Sequence, residues 1–216
     1  MDDAELWGTL EGLNVTYLQR WGSAWADLQA TGMALAERRE LEATKATNVF
    51  LRRALWDSAV VSYGRFGFSE QARPISPEDF IEDVEGKDGL ALHKRIMDWR
   101  HGHVAHRKRA EFESVETVLA YANGADRPTA LRLVLGIDLG PLDDSDFVAA
   151  FQNHVAVLAT AMYENKIRPL ALSIIEDLNT KRIALPSSLS PARDHSTWER
   201  YVINQCVSML GPGERS

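Results

Sequence analysis

The sequence predicts a mainly α-helical, bundle-like fold, and two observations carry that expectation. Apolar residues recur at steps of three and four over long stretches, first from Leu6 to Leu28 and again from Phe147 to Met162. That is the spacing of one helix face. The stretches also stop at residues that end or break helices, among them Gly32, Gly67 and Pro169. A chain of 216 residues can bury a sizeable core. It divides into a helical domain over 1–185 and, over 186–216, a linker with a C-terminal helix packed on the same domain.

Leu6, Leu10, Leu13, Tyr17, Trp21, Trp25 and Leu28 mark the first helix, with Asp2 or Asp3 as its cap and Gly32 as its stop. A second helix begins at Met33. Its opening, Ala36 to Thr47, is charged and small and reads as exposed. Phe50, Leu51, Ala54, Leu55 and Val61 read as its buried part, and it ends near Gly67. Ser76-Pro77-Glu78-Asp79 has the chemistry of a helix start: a serine cap, proline at the first position, acids in the first turn. That helix runs into Gly86. Asp88 can cap the next one, along which Leu92, Ile96, Trp99, His103 and His106 fall at helical spacing, with Gly102 weakening or bending it.

Residues 115–135 read two ways. One is a short helix from Ser114 to Ala122, followed by the apolar run Leu131 to Leu135. The other is a short β-hairpin from Val115 to Leu135, and periodicity does not decide between them. Asp144 or Ser145 opens the clearest late helix, with Phe147, Phe151, His154, Leu158 and Met162 on its buried face. Pro169 lacks a backbone N–H and kinks or ends it. Leu170 to Leu178 continues as helix, Pro186 to Pro191 is a linker, and Trp198, Val202 and Met209 suggest a last helix.

Composition narrows the function classes. One cysteine, Cys206, excludes an internal disulfide framework and fits a reducing compartment; it reads as a core residue. Met1-Asp2-Asp3 does not open a secretory signal, and no run of about 18 apolar residues could span a membrane. A cytoplasmic protein without a membrane partner is expected. The net charge of −7 argues against a generic nucleic-acid coat, but it leaves room for a focused basic site. Residues 70–88 sum to −5 and residues 94–109 to +5. Two solvated faces are the plain reading; an acidic guard over a basic site is the alternative.

The basic block is the centre of the chemistry. Met97-Asp-Trp-Arg-His-Gly-His-Val-Ala-His-Arg-Lys-Arg109 holds His101, His103 and His106, with Arg100 before them and Arg107, Lys108 and Arg109 after. Clustered cations suit a phosphate ligand, and imidazoles transfer protons near neutral pH. Arg100 followed by His106 is a weak pattern alone, because Arg95 and His101 repeat its spacing.

The longer string, Trp99 to Lys108, resembles the signature of the HEPN superfamily (higher eukaryotes and prokaryotes nucleotide-binding domains). That signature is Arg, a polar residue, a few residues, then a His preceded by Ala and followed by a basic residue. Arg100, His101, Ala105, His106 and Arg107 fill these places, after a helix ending in Ile96, Met97 and Trp99. The abortive-infection-type proteins of bacteria are the most similar. The resemblance implies a bundle of long antiparallel helices that dimerises so that two motifs face one another. It implies a metal-independent endoribonuclease of toxin or phage-defence type with no cofactor, RNA as substrate, and a neutralising protein as a further partner.

The residues suit that chemistry. RNA supplies its own nucleophile, the 2′-hydroxyl. His106 would be the general acid/base and Arg100 the phosphate clamp. His101 would orient one of them. Arg107, Lys108 and Arg109, with His103 beside them, would draw in the RNA backbone. Two Arg/His pairs across a twofold axis supply the acid, base and anion clamp that one pair cannot. Lys108 stands where some members paired with nucleotidyltransferases carry Tyr, so control by modification of such a Tyr is not expected.

Three readings compete. A non-catalytic HEPN-like module would bind RNA or protein without cleavage. A metal-dependent hydrolase could use His101, His103 and His106 with His93, although no Cys accompanies them and a carboxylate must come from Asp98 or elsewhere. The imidazoles could also be ordinary groups on a solvated basic face. His154 reads as a satisfied core histidine. The tryptophans read as core, with Trp99, beside Arg100, the exception to watch.

Overall fold

The computed structural model describes residues 6–67, 75–104, 113–124, 126–137, 139–143, 145–191 and 206–207. It is mainly helical, as expected: α1 (Leu13–Glu40), α2 (Val49–Phe66), α3 (Pro77–Trp99), α4 (Asp146–Met162) and α5 (Arg168–Asn179). Two short antiparallel pairs accompany the helices, β1 (Leu6–Trp7) with β4 (Ser190–Pro191) and β2 (Glu113–Tyr121) with β3 (Pro128–Ile137). No helix among the described residues is long and apolar enough to cross a membrane.

Helix α1 packs along α2, α4 and α5, while α3 lies against α2 and α4. Trp56 is the hub of the core. Its ring meets Trp99, Phe147 and Phe151 edge-on, at 5.4, 6.2 and 6.0 Å between centroids. Edge-on contact sets the positive rim of one ring against the negative face of the next. Helix α4 forms as expected. The Ser145 side chain accepts a hydrogen bond from the Val148 N–H, and Phe147, Phe151, His154, Leu158 and Met162 are all buried.

Other expectations are corrected. Gly32 does not stop the first helix, which runs on to Glu40. A Cβ at Gly32 would sit 3.8 Å from Val155, so the glycine lies where α1 meets α4, and that packing outweighs its poor helix propensity. Leu6 leaves the helix to pair with Pro191, which makes Ser190–Pro191 a strand rather than plain linker. On α2 the buried face is Arg52, Trp56, Ala59, Val60, Tyr63 and Phe66, whereas Phe50, Leu51 and Ala54 are exposed. The apolar pattern pointed to the wrong face because a buried arginine belongs to the right one. Arg38, placed in a stretch expected to be exposed, is buried for the same reason.

Residues 113–137 form the hairpin, not the short helix. Val115, Thr117 and Val118 favour the extended chain, and Gly124 takes φ +77° in the turn. Gly86 does interrupt α3, at φ +66°. Cys206 is exposed rather than in the core. The expected helix around Trp198, Val202 and Met209 lies outside the described residues.

Candidate active site

Arg100 sits at the end of α3, its backbone N–H shared between the carbonyls of Ile96 and Met97. The chain then widens into a π-type turn over Arg100–Val104. Gly102 lies within that turn, so the helix loosens where the sequence said it would. The Arg100 side chain is half-buried and crosses Gly64 of α2. A Cβ there would lie 2.2 Å from Arg100 Cδ and 2.5 Å from Nε. One helical turn on, a Cβ at Gly67 would lie 3.0 Å from both His93 Cε1 and Met97 Sδ. Gly64 on α2 and Gly67 at its C-terminal cap thus let the last turns of α3 approach closely, and Gly64 is the seat of Arg100.

His101 is exposed on the turn. The backbone of His103 belongs to the same turn. His106, Arg107, Lys108 and Arg109 lie outside the described residues. Of the expected catalytic set, Arg100 and His101 are therefore located. The competing pair of the same spacing is weakened, because the Arg95 guanidinium lies 4.3 Å over the Phe147 ring. Trp99 is half-buried; it stacks on Phe147 at 6.4 Å and meets Trp56 edge-on, so it packs against the core. Among the described residues no three His, Cys, Asp or Glu side chains are grouped to hold a metal. His93, offered as a fourth ligand in that scheme, is instead buried against Tyr63.

That burial is part of a chain the sequence did not disclose. Tyr63 Oη lies 2.8 Å from His93 Nδ1 and 2.7 Å from His154 Nε2, and His154 Nδ1 contacts Glu85 Oε2. Tyr63, His93 and His154 are almost fully enclosed. Burial lowers both histidines, His154 to about 4 and His93 below the usual value. It also raises Glu85 and, together with the Glu85 charge, holds Tyr63 well above the phenol range. With both imidazoles neutral and Glu85 ionised, one proton order satisfies every group. His154 Nδ1–H donates to Glu85, Tyr63 O–H donates to His154 Nε2, and His93 Nδ1–H donates to Tyr63. A proton on Glu85 Oε2, donated to His154 Nδ1, would reverse all three bonds.

His154 was expected to be a satisfied core histidine, and it is one. Its partners had a weaker signal: His93 shares a buried helix face with Ile96 and Met97, and a polar side chain there needs a partner. The chain links α2, α3 and α4 next to the Arg100 seat.

A second buried group fixes the other end of the bundle. Arg38 and Arg52 each donate to one carboxylate oxygen of Asp143. Arg38 also donates to the Pro141 carbonyl at 2.6 Å, and Arg52 to the Arg38 carbonyl at 2.8 Å. The Arg38 guanidinium lies 5.4 Å over the Trp56 ring. Both arginines are committed to structure, not to a ligand.

No family model, no curated protein and no solved structure matches the chain.

Proposed function

We propose that the chain is a metal-independent endoribonuclease of toxin or phage-defence type, similar to HEPN domains. It would act as a cytoplasmic homodimer that a partner protein could neutralise. The observation that carries this reading is the string from Trp99 to Lys108, basic in an acidic chain and set at the end of a core helix. Two features support it. The half-buried Arg100 is seated on Gly64, and a guanidinium held in place is what a phosphate clamp requires. His101 adjoins it on an open turn, where a polymer can reach.

The purified protein should cleave RNA in EDTA, and Arg100→Ala or His106→Ala should lower the rate by at least about 100-fold. RNA that stays intact under varied conditions would sink the enzyme claim; retention of RNA without cleavage would favour the binding module. Gly64→Ala is a subtler variant. A methyl group there must push the Arg100 side chain aside, while alanine suits the helix better than glycine. The fold should survive by circular dichroism, and cleavage should fall by about 10- to 100-fold, as small misplacements at a reacting centre do. Unchanged cleavage would show that Arg100 needs no such seat.

A further inference from the structure

We propose that the apolar face of the β2–β3 hairpin is a docking surface for the same face of a second copy of this chain. Register places Val115 opposite Leu135, Thr117 opposite Leu133 and Leu119 opposite Leu131. With alternate residues on opposite faces, these six share one side. The other side carries Glu116, Val118, Ala120, Ala130, Arg132 and Val134. The first side carries no charge, whereas the second holds Glu116 and Arg132, and the first is open: Val115, Leu119, Leu131, Leu133 and Leu135 are 53–69% exposed. Neither strand lies against any other described element.

A lone two-stranded hairpin is marginal in water. An uncovered face of this kind needs a cover that is present whenever the chain folds, and a second copy is present wherever the first is made. The face is also fit to meet itself. It carries no charge between Val115 and Leu135, so a twofold axis through it opposes no like charges, while Glu116 and Arg132 stay on the solvent side. Five such side chains expose on the order of 500 Å², a size at which apolar surface marks an interaction site. Two such faces stacked on one another come to roughly 1,000 Å², the size that specific interfaces need. This deepens the dimer proposed above by giving it a surface, but it requires no catalysis.

Sedimentation velocity of the full chain without RNA separates the two questions. The wild type should sediment as a dimer at micromolar concentration. Leu133→Glu and Leu119→Glu should yield monomers with unchanged helical circular dichroism, and Ala130→Glu, on the opposite face, should remain dimeric. Deuterium exchange of the hairpin amides should be slow in the dimer and fast on dilution. A wild type that stays monomeric would overturn the proposal, whether or not it binds phosphatidylcholine vesicles. So would a Leu133→Glu dimer as tight as the wild type, equal loss in Ala130→Glu, or hairpin protection that ignores dilution. RNA cleavage by a dimer that Leu133→Glu leaves intact would refute the docking surface and leave the nuclease reading standing.

Discussion

Asp143→Ala should destabilise the fold by about 3–5 kcal/mol, the cost of stranding buried charge. Asp143 is the shared anion of Arg38 and Arg52, whose side chains are 3% and 7% exposed. Without it two guanidinium groups remain in the core with only carbonyl oxygens to accept from them. Burial already lowers the Arg38 pKa against the pull of Asp143, which shows that the charge is held at a cost. The effect should also be local in character. Asp143 lies in the loop between β3 and α4, and Gly140 in that loop comes so close to Trp56 that a Cβ would fall 2.8 Å from the ring. Urea unfolding followed by tryptophan fluorescence measures the loss. A change within about 1 kcal/mol would mean that water or neighbouring carbonyls replace the carboxylate, as at an exposed pair.

The buried Glu85–His154–Tyr63–His93 chain should make the fold acid-labile. Burial depresses the folded-state pKa of His154 to about 4, against about 6.5 when unfolded. A depressed histidine contributes stability that is complete above 6.5 and lost as pH falls toward 4. The shift corresponds to about 3 kcal/mol. His93 shifts the same way and adds to the loss. Glu85 shifts upward, so its protonation works in the opposite direction and offsets part of it. The unfolding free energy should therefore fall between pH 6.5 and 4, and His154→Leu should flatten that limb. Tyr63→Phe should cost about 2–4 kcal/mol at neutral pH, because it leaves His154 Nε2 without a donor and the His93 N–H without an acceptor. Stability that is level across this pH range would mean the histidines are already charged in the fold.

These two buried groups also explain what could be read from the sequence and what could not. Helix α4 was legible because its buried face is almost wholly apolar and its cap is a serine in the expected place. The ends of α2 and α3 were legible through Gly67, Ser76 and Pro77. The end of α1 and the face of α2 were not, because Arg38 and Arg52 count as surface residues until Asp143, about a hundred residues away in sequence, is brought to them. Gly32 looked like a stop because its partner, Val155, belongs to another helix. The hairpin stayed ambiguous because an apolar side that faces no core has the same composition as one that does. At the candidate site, Arg100 and His101 were legible as motif positions. The seat at Gly64 was not, since a missing side chain leaves no chemical signature, and neither was the Tyr63 chain, whose members are scattered over three helices.

The most direct measurement is the chemistry of RNA ends produced in EDTA, determined by mass spectrometry. On the proposed reading, attack by the 2′-hydroxyl, with His106 to move the proton and Arg100 to hold the phosphate, would yield a 2′,3′-cyclic phosphate on one fragment and a 5′-hydroxyl on the other. Both ends should appear with the wild type and be absent with Arg100→Ala and His106→Ala, and a 2′-deoxy substitution at the cleaved nucleotide should block the reaction. Intact RNA, or fragments with 3′-hydroxyl and 5′-phosphate ends, would contradict a metal-independent ribonuclease built on these two residues.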